Sequence, residues 1–130
     1  ARKLSDLVAE AVREVLVASA RVWLFPVKSF DGKYEPGWIA CSFEYVHSTV
    51  AERLSELPEV SKLSDGSRWL QEDLRFEIEA VFKRHKARYG YATFQGRAQR
   101  AVALPHAEIR LNPGKKLREG AVEVRSKLFA

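Results

Sequence analysis

Residues 88–100, RYGYATFQGRAQR, gather the side chains best suited to chemistry with a polyanion. Rings alternate with glycine and alanine, arginines follow, and no carboxylate interrupts them. Gln95-Gly96 reads as a two-residue hairpin loop, which pairs Phe94 with Arg97, Tyr91 with Arg100 and Tyr89 with Val102. Alternation then puts Tyr89, Tyr91, Thr93, Ala98, Arg100 and Val102 on one face, and Gly90, Ala92, Phe94, Arg97, Gln99 and Ala101 on the other. The small residues remove bulk, so a helix or a nucleotide can come close to the backbone. Tyr91 beside Arg100 offers a ring with a cation at its edge. Single-stranded nucleic acid suits such a surface, because each base stacks for about 1–3 kcal/mol while Lys and Arg follow the phosphates. The same rings at period two would equally serve as the core of a sheet.

The charge distribution extends the pattern. The chain has 130 residues and a formal net charge of +5. Residues 1–79 carry 10 Lys/Arg against 14 Asp/Glu, and residues 80–130 carry 12 against 3. Between Glu79 and Glu108 every charged side chain other than histidine is basic: Lys83, Arg84, Lys86, Arg88, Arg97 and Arg100. A basic half of this kind is the electrostatic footprint of a polyanion site. The candidate binding set is therefore Lys83, Arg84, Lys86, Arg88, Tyr89, Tyr91, Arg97, Arg100, Arg110, Lys115 and Lys116. Two structural explanations compete with it: a solvated basic face, and cations placed near Lys83–Arg88 to suit the end of a helix dipole.

Enzymatic patterns are sparse. His47, His85 and His106 are far apart and form no H-x-H or H-E-x-x-H motif, and Cys41 is alone, so no metal site and no cofactor is expected. His47 adjoins Ser48, but neighbouring residues point apart, and Ser48-Thr49 suit a helix cap. Arg21, Ser48-Thr49-Val50 and Glu77-x-Glu79 follow the order of ADP-ribosyltransferase elements. Those glutamates fall mid-helix, about 200° apart, which argues against that reading. A metal-free, toxin-like ribonuclease is the main enzymatic alternative, with His106 as general base and Arg100, Arg110 and Lys115 around the phosphate. A basic protein-interaction or assembly module is the other alternative.

The elements that must hold these residues follow from periodicity. Residues 4–18 repeat Leu4, Leu7, Val8, Ala11, Val12, Val15 and Leu16 at helical spacing, with Ser5 or Asp6 near the cap. RVWLFPV is β-prone and is stopped or pushed to an edge by Pro26. Asp31-Gly32 and Pro36-Gly37 are turn signals. WIACSFEYV alternates as a strand, with Ile39, Cys41, Phe43 and Tyr45 on the core face, which makes Cys41 a small buried hydrophobe. Residues 48–57 form a short helix with Thr49 and Glu52 at capping-box spacing and Pro58 beyond its end. Residues 58–67 read as a loop. A longer helix runs from Ser67 to about Lys86, with Leu70, Leu74, Ile78, Val81 and Phe82 on its stripe. Strands 89–94 and 97–104 follow, Pro105 breaks the pattern before HAEIRL, and GAVEVRSKL supplies a last strand.

Length and order together imply one α+β domain: a mainly antiparallel sheet with helices packed on one face and an amphipathic N-terminal helix. The first apolar stretch is interrupted by Glu10, Arg13 and Glu14, unlike a secretory signal. No apolar run reaches the ~18 residues of a membrane span. A lone cysteine fits a reducing, cytoplasmic setting. One Asn, three Gln and no Met fit thermophily as well as a high-GC mesophile.

Two resemblances bear on the partner. Tyr89, Gly90, Tyr91 and Phe94 echo the aromatic RNA-recognition consensus, and VWLF at 22–25 its companion motif, although a helix rather than a strand precedes YGYATF. SRWLQEDLRFEIEAVFKRHKARYGYATF, a helix delivering an aromatic and basic strand, resembles the archaeal ThermoDBP-type single-stranded DNA-binding proteins in layout and composition. That resemblance implies a cleft with an apolar floor and basic walls, and a homodimer or higher homo-oligomer. The expected partner is thus single-stranded DNA or RNA, and no membrane.

Overall fold

The computed structural model describes residues 3–17, 25–28, 34–94, 96–105 and 122–123. Helix α1 (Leu4–Val17) forms on the expected spacing. Its apolar residues Leu7, Val8, Ala11, Val12, Val15 and Leu16 are all buried. The amides of Asp6 and Leu7 donate to the Lys3 carbonyl, at 3.1 Å each. Ser5 and Asp6 therefore sit in the first turn rather than at the cap.

Strand β1 (Phe25–Lys28) pairs antiparallel with β2 (Tyr34–Ser42), and the register breaks between Pro26 and Lys28. Proline offers no N–H, so a ladder cannot run through it undisturbed. Beyond Pro26, Val27 and Lys28 pair in parallel with Val122 and Glu123 of β5 (Val122–Glu123), which falls in the expected last strand. β1 is thus an inner strand, not an edge. Pro36-Gly37 lies within β2 and makes no turn, while Asp31-Gly32 and HAEIRL fall outside the described residues.

The strand expected to run through Tyr45 ends at Ser42, where α2 (Phe43–Ser55) begins. Ser42 is extended, and its hydroxyl accepts the Tyr45 amide at 3.3 Å. A cap of this type stabilises a helix by about 1 kcal/mol. Thr49 and Glu52 consequently sit inside the helix, not at its start. The Ser48 and Thr49 hydroxyls instead donate to the Tyr45 carbonyl, at 3.1 and 2.8 Å. Pro58 opens the short α3 (Pro58–Ser61), where a missing N–H costs nothing.

The long helix is continuous but not uniform. Asp65 caps α4 (Gly66–Arg68) by accepting the Arg68 amide at 3.2 Å. A π-helical segment, Trp69–Asp73, follows, and its widened turn closes with the Leu74 amide on the Trp69 carbonyl. Then α5 (Leu74–Arg84) buries Leu74, Ile78, Val81 and Phe82, whereas Leu70, in the π segment, is half-buried.

Strands β3 (Arg88–Phe94) and β4 (Arg97–Pro105) complete a sheet of order β3-β4-β2-β1-β5. Every pairing is antiparallel except β1 with β5. The outer strands β3 and β5 also approach each other closely, so the sheet curls. Helices α1, α2 and α5 share one core with Cys41, Val102 and Leu104, on one face of the sheet. Ala40, Ala92, Ala101 and Ala103 are buried on the other face. This is the α+β arrangement the periodicity implies. No helix among the described residues is long and apolar enough to cross a membrane.

Candidate functional site

The hairpin pairs as the two-residue loop requires: Phe94 opposite Arg97, Tyr91 opposite Arg100, Tyr89 opposite Val102. Gly96 supplies the positive φ of the turn, at 78°. Its helix-side face carries Tyr89, Tyr91 and Arg100, but the two rings meet different surroundings. Tyr89 is half-buried and packs on the core, its ring 6.5 Å from that of Phe43 and its hydroxyl donating to the Glu79 carbonyl at 3.5 Å. Burial, reinforced by the nearby Glu79 charge, pushes its phenol up to about 12. Tyr91, one step further along β3, is 58% exposed.

Arg100 departs from the expected arrangement. Its guanidinium lies over the Phe43 ring at 4.4 Å and the Tyr89 ring at 4.8 Å, and it donates to the Glu79 carboxylate. Arg100 therefore turns back toward α5 instead of outward with Tyr91. The reason is tertiary: the packed α5 brings the Glu79 carboxylate within reach, and the Phe43 and Tyr89 ring faces attract the cation. Beside it, Arg75 of α5 holds Glu44 of α2 through two bonds of 2.8 and 3.0 Å. That contact keeps the Glu44 carboxyl below its ordinary value.

The basic cluster at the end of α5 is set by the way the helix stops. The Lys86 amide donates to the Lys83 carbonyl and the Ala87 amide to the Phe82 carbonyl, each at 3.1 Å. This pair of bonds is a Schellman closure, and it needs a left-handed residue at Lys86, whose φ is 59°. Glycine usually fills that position; here a lysine does, the one non-glycine residue with positive φ among those described. Lys83, Arg84 and Lys86 are exposed, as is Arg97 beside the hairpin loop. These four cations make no ion pair with any described residue. Arg88 is half-buried and engaged in a contact of its own.

The remaining sequence candidates divide cleanly. Arg110, Lys115, Lys116 and His106 lie outside the described residues. Arg100, the phosphate clamp of the ribonuclease alternative, is engaged with Glu79. His47 is buried, and its Nε2 donates to the Leu70 carbonyl in the π segment at 2.9 Å. Burial lowers its pKa. Cys41 is buried with its thiol pushed up to about 12 by desolvation, which suits packing. Glu79, not singled out by sequence as a partner of Arg100, joins helix to hairpin. Phe76 was likewise given no role of its own by the sequence, and it is 71% exposed. The available signal was its position, about 200° around the helix from Leu74, off the apolar stripe.

Comparison of the chain with protein-family models, with curated proteins and with solved structures gives no match.

Proposed function

We propose that this domain binds single-stranded DNA or RNA without cleaving it and with little sequence preference, in the cytoplasm. The observation that carries the reading is an exposed ring, Tyr91, on a hairpin whose tip and whose entry from α5 carry exposed cations that no described carboxylate neutralises. A base can stack on the ring while Lys83, Arg84 and Lys86 meet phosphates, and Arg97, on the other face of the hairpin, can meet the strand only where it passes the tip. Lys86 adds weight. A left-handed lysine is held at a cost where glycine would fit freely, and such strain tends to persist at functional positions. Sequence preference is expected to be weak because every base has a face to stack, and stacking reads no hydrogen-bond pattern.

The test is fluorescence anisotropy with labelled single-stranded DNA, RNA and duplex across a salt series. The expected outcome is preference for single strands, with log K falling linearly against log salt by about 0.7 per phosphate contacted. Absence of binding at low salt would remove the proposal. Cleavage of RNA that disappears in His106→Ala would transfer the assignment to the ribonuclease reading.

A further inference from the structure

The side of α5 turned away from the core carries an ordered series. Asp73, the last residue of the π segment, is followed on α5 by Phe76, Ala80 and Lys83, and all four are exposed. Steps of three, four and three residues make one stripe along a helix, the seam that a second helix covers in a coiled coil. The stripe lies opposite the buried Ile78, so it is the most outward line of α5. Phe76 is one of two large apolar side chains exposed among the described residues, and in this position its ring does nothing for the core.

Charge is ordered along the same line. Asp73, with Glu77 on its flank, occupies the first half, and Lys83, with Arg84 on its flank, the second. None of these four makes an ion pair with a described residue. A helix dipole favours acid at the start and base at the end, but it gives no reason for a ring between them. The series is complementary to itself when reversed. Laid antiparallel on a second copy, with a two-fold axis level with Ile78, Asp73 meets Lys83, Phe76 meets Ala80, and Glu77 meets Arg84, each contact made twice. The ring enters the space the alanine leaves. A parallel pairing would set Asp73 against Asp73 and Lys83 against Lys83. On the other flank Glu72 and Glu79 come together, but each already holds a cation, Arg68 and Arg100.

From this self-complementarity we infer that the outward face of α5 is the contact surface of a homodimer, two copies of this chain pairing antiparallel through Asp73, Phe76, Ala80 and Lys83. About three helical turns take part, which places the contact at the small end of protein interfaces, so the dimer is weak and salt-sensitive. The inference does not rest on the nucleic-acid reading. Lys83 and Arg84 belong to both, so a second copy and a strand compete for them.

Sedimentation equilibrium of the full chain without nucleic acid, from about 10 µM to about 1 mM at low salt, tests it. Wild type is expected to dimerise within that range and to dissociate as salt is raised. Phe76→Ala should raise the dissociation constant about 30-fold or more, as loss of a central aromatic anchor does. Asp73→Lys and Lys83→Asp should each be monomeric alone, because each sets like charges together at both ends of the seam. Mixed in equal amounts they should dimerise again, since every end then joins opposite charges. The chain carrying both exchanges should also recover pairing with itself. Recovery requires folded chains, so a fold defect cannot pass for a lost contact, and circular dichroism of each variant checks the same point. A wild type that stays monomeric at about 1 mM, a dimer indifferent to Phe76→Ala, or failure of both recoveries with folded chains overturns the inference. The strand reading stands or falls separately, on the anisotropy titrations.

Discussion

Arg100 and Glu79, 21 residues apart in the chain, are joined by a hydrogen-bonded ion pair that fastens β4 to α5. The same guanidinium rests on Phe43 and Tyr89, so one side chain touches the start of α2, the middle of α5 and both strands of the hairpin. This is a clamp rather than a loose cation. Both side chains are about one-third exposed, so the pair is partly shielded from water and salt.

Arg100→Ala is accordingly expected to lower folding stability by about 1–3 kcal/mol, the range for a charged hydrogen bond with ring contacts. Its effect on the salt slope of binding should be small. Arg97→Ala should do the reverse, leaving stability unchanged and reducing the slope by about 0.7, one phosphate contact. Urea unfolding and salt-dependent titrations of the two variants check this. A reduced slope in Arg100→Ala with unchanged stability would mean that the clamp opens to the ligand.

The two tyrosines of the hairpin should separate in the same way. Tyr89→Ala removes a ring packed against Phe43 and is expected to cost about 3 kcal/mol of stability, near the low end for large aromatic truncations. Tyr91→Ala should melt with the wild type and lose about 1–3 kcal/mol of binding. Thermal melts and anisotropy on both proteins decide it, and a destabilised Tyr91→Ala would return that ring to the core.

Lys86→Gly offers a trade. Relief of the left-handed backbone should raise stability by about 1 kcal/mol, less the greater flexibility of glycine in the unfolded chain. Removal of one exposed cation should at the same time weaken binding and lower the salt slope. A variant that melts higher and binds less tightly would identify the position as one retained for charge. Unchanged affinity would leave the lysine with no role at the site.

How much of this was legible in the sequence varies with the range of the interactions involved. The hairpin register could be read because a two-residue loop fixes every pair above it. The stripe of α5 could be read because Leu74, Ile78, Val81 and Phe82 repeat at helical spacing. The start of α2 could not. Phe43 and Tyr45 continue the alternation of β2, and only the Ser42 hydroxyl marks the change of structure. Thr49 and Glu52 imitated a capping box that position alone could not refute. At the site, exposure of Lys83, Arg84 and Lys86 follows from a helix end, which is local. The turning of Arg100 toward Glu79 depends on α5 packing across the hairpin, and no local pattern encodes it.

Acid should loosen the fold in two stages. His47 has its pKa lowered below the ordinary 6.5 by burial, so the folded protein favours the neutral ring. Its contribution to stability is complete above about pH 6.5 and is lost as pH falls from there through the lower folded value. Glu44, held below the ordinary 4.5 by Arg75, loses its contribution in a later, more acidic window. Stability measured against pH should therefore decline first in the histidine range, and His47→Gln, whose amide can still donate to the Leu70 carbonyl, should flatten that first decline. An undiminished slope in the variant would assign it to another group.

The π segment has a consequence for what α5 shows to solvent. A π turn is an α-helix with one residue too many, and each α-helical residue advances the helix by about 100°. The Asp65 cap fixes the phase at one end, while the buried Leu74, Ile78 and Phe82 fix it at the other. The surplus residue reconciles the two anchors. Deleting Gln71, which is exposed within the segment, would leave a regular helix unable to satisfy both. Either the cap would be abandoned, or the whole of α5 would rotate, withdrawing Phe76 and Lys83 from their side and parting Glu79 from Arg100. One inserted residue thus acts as the gear tooth that sets the angular position of an entire face.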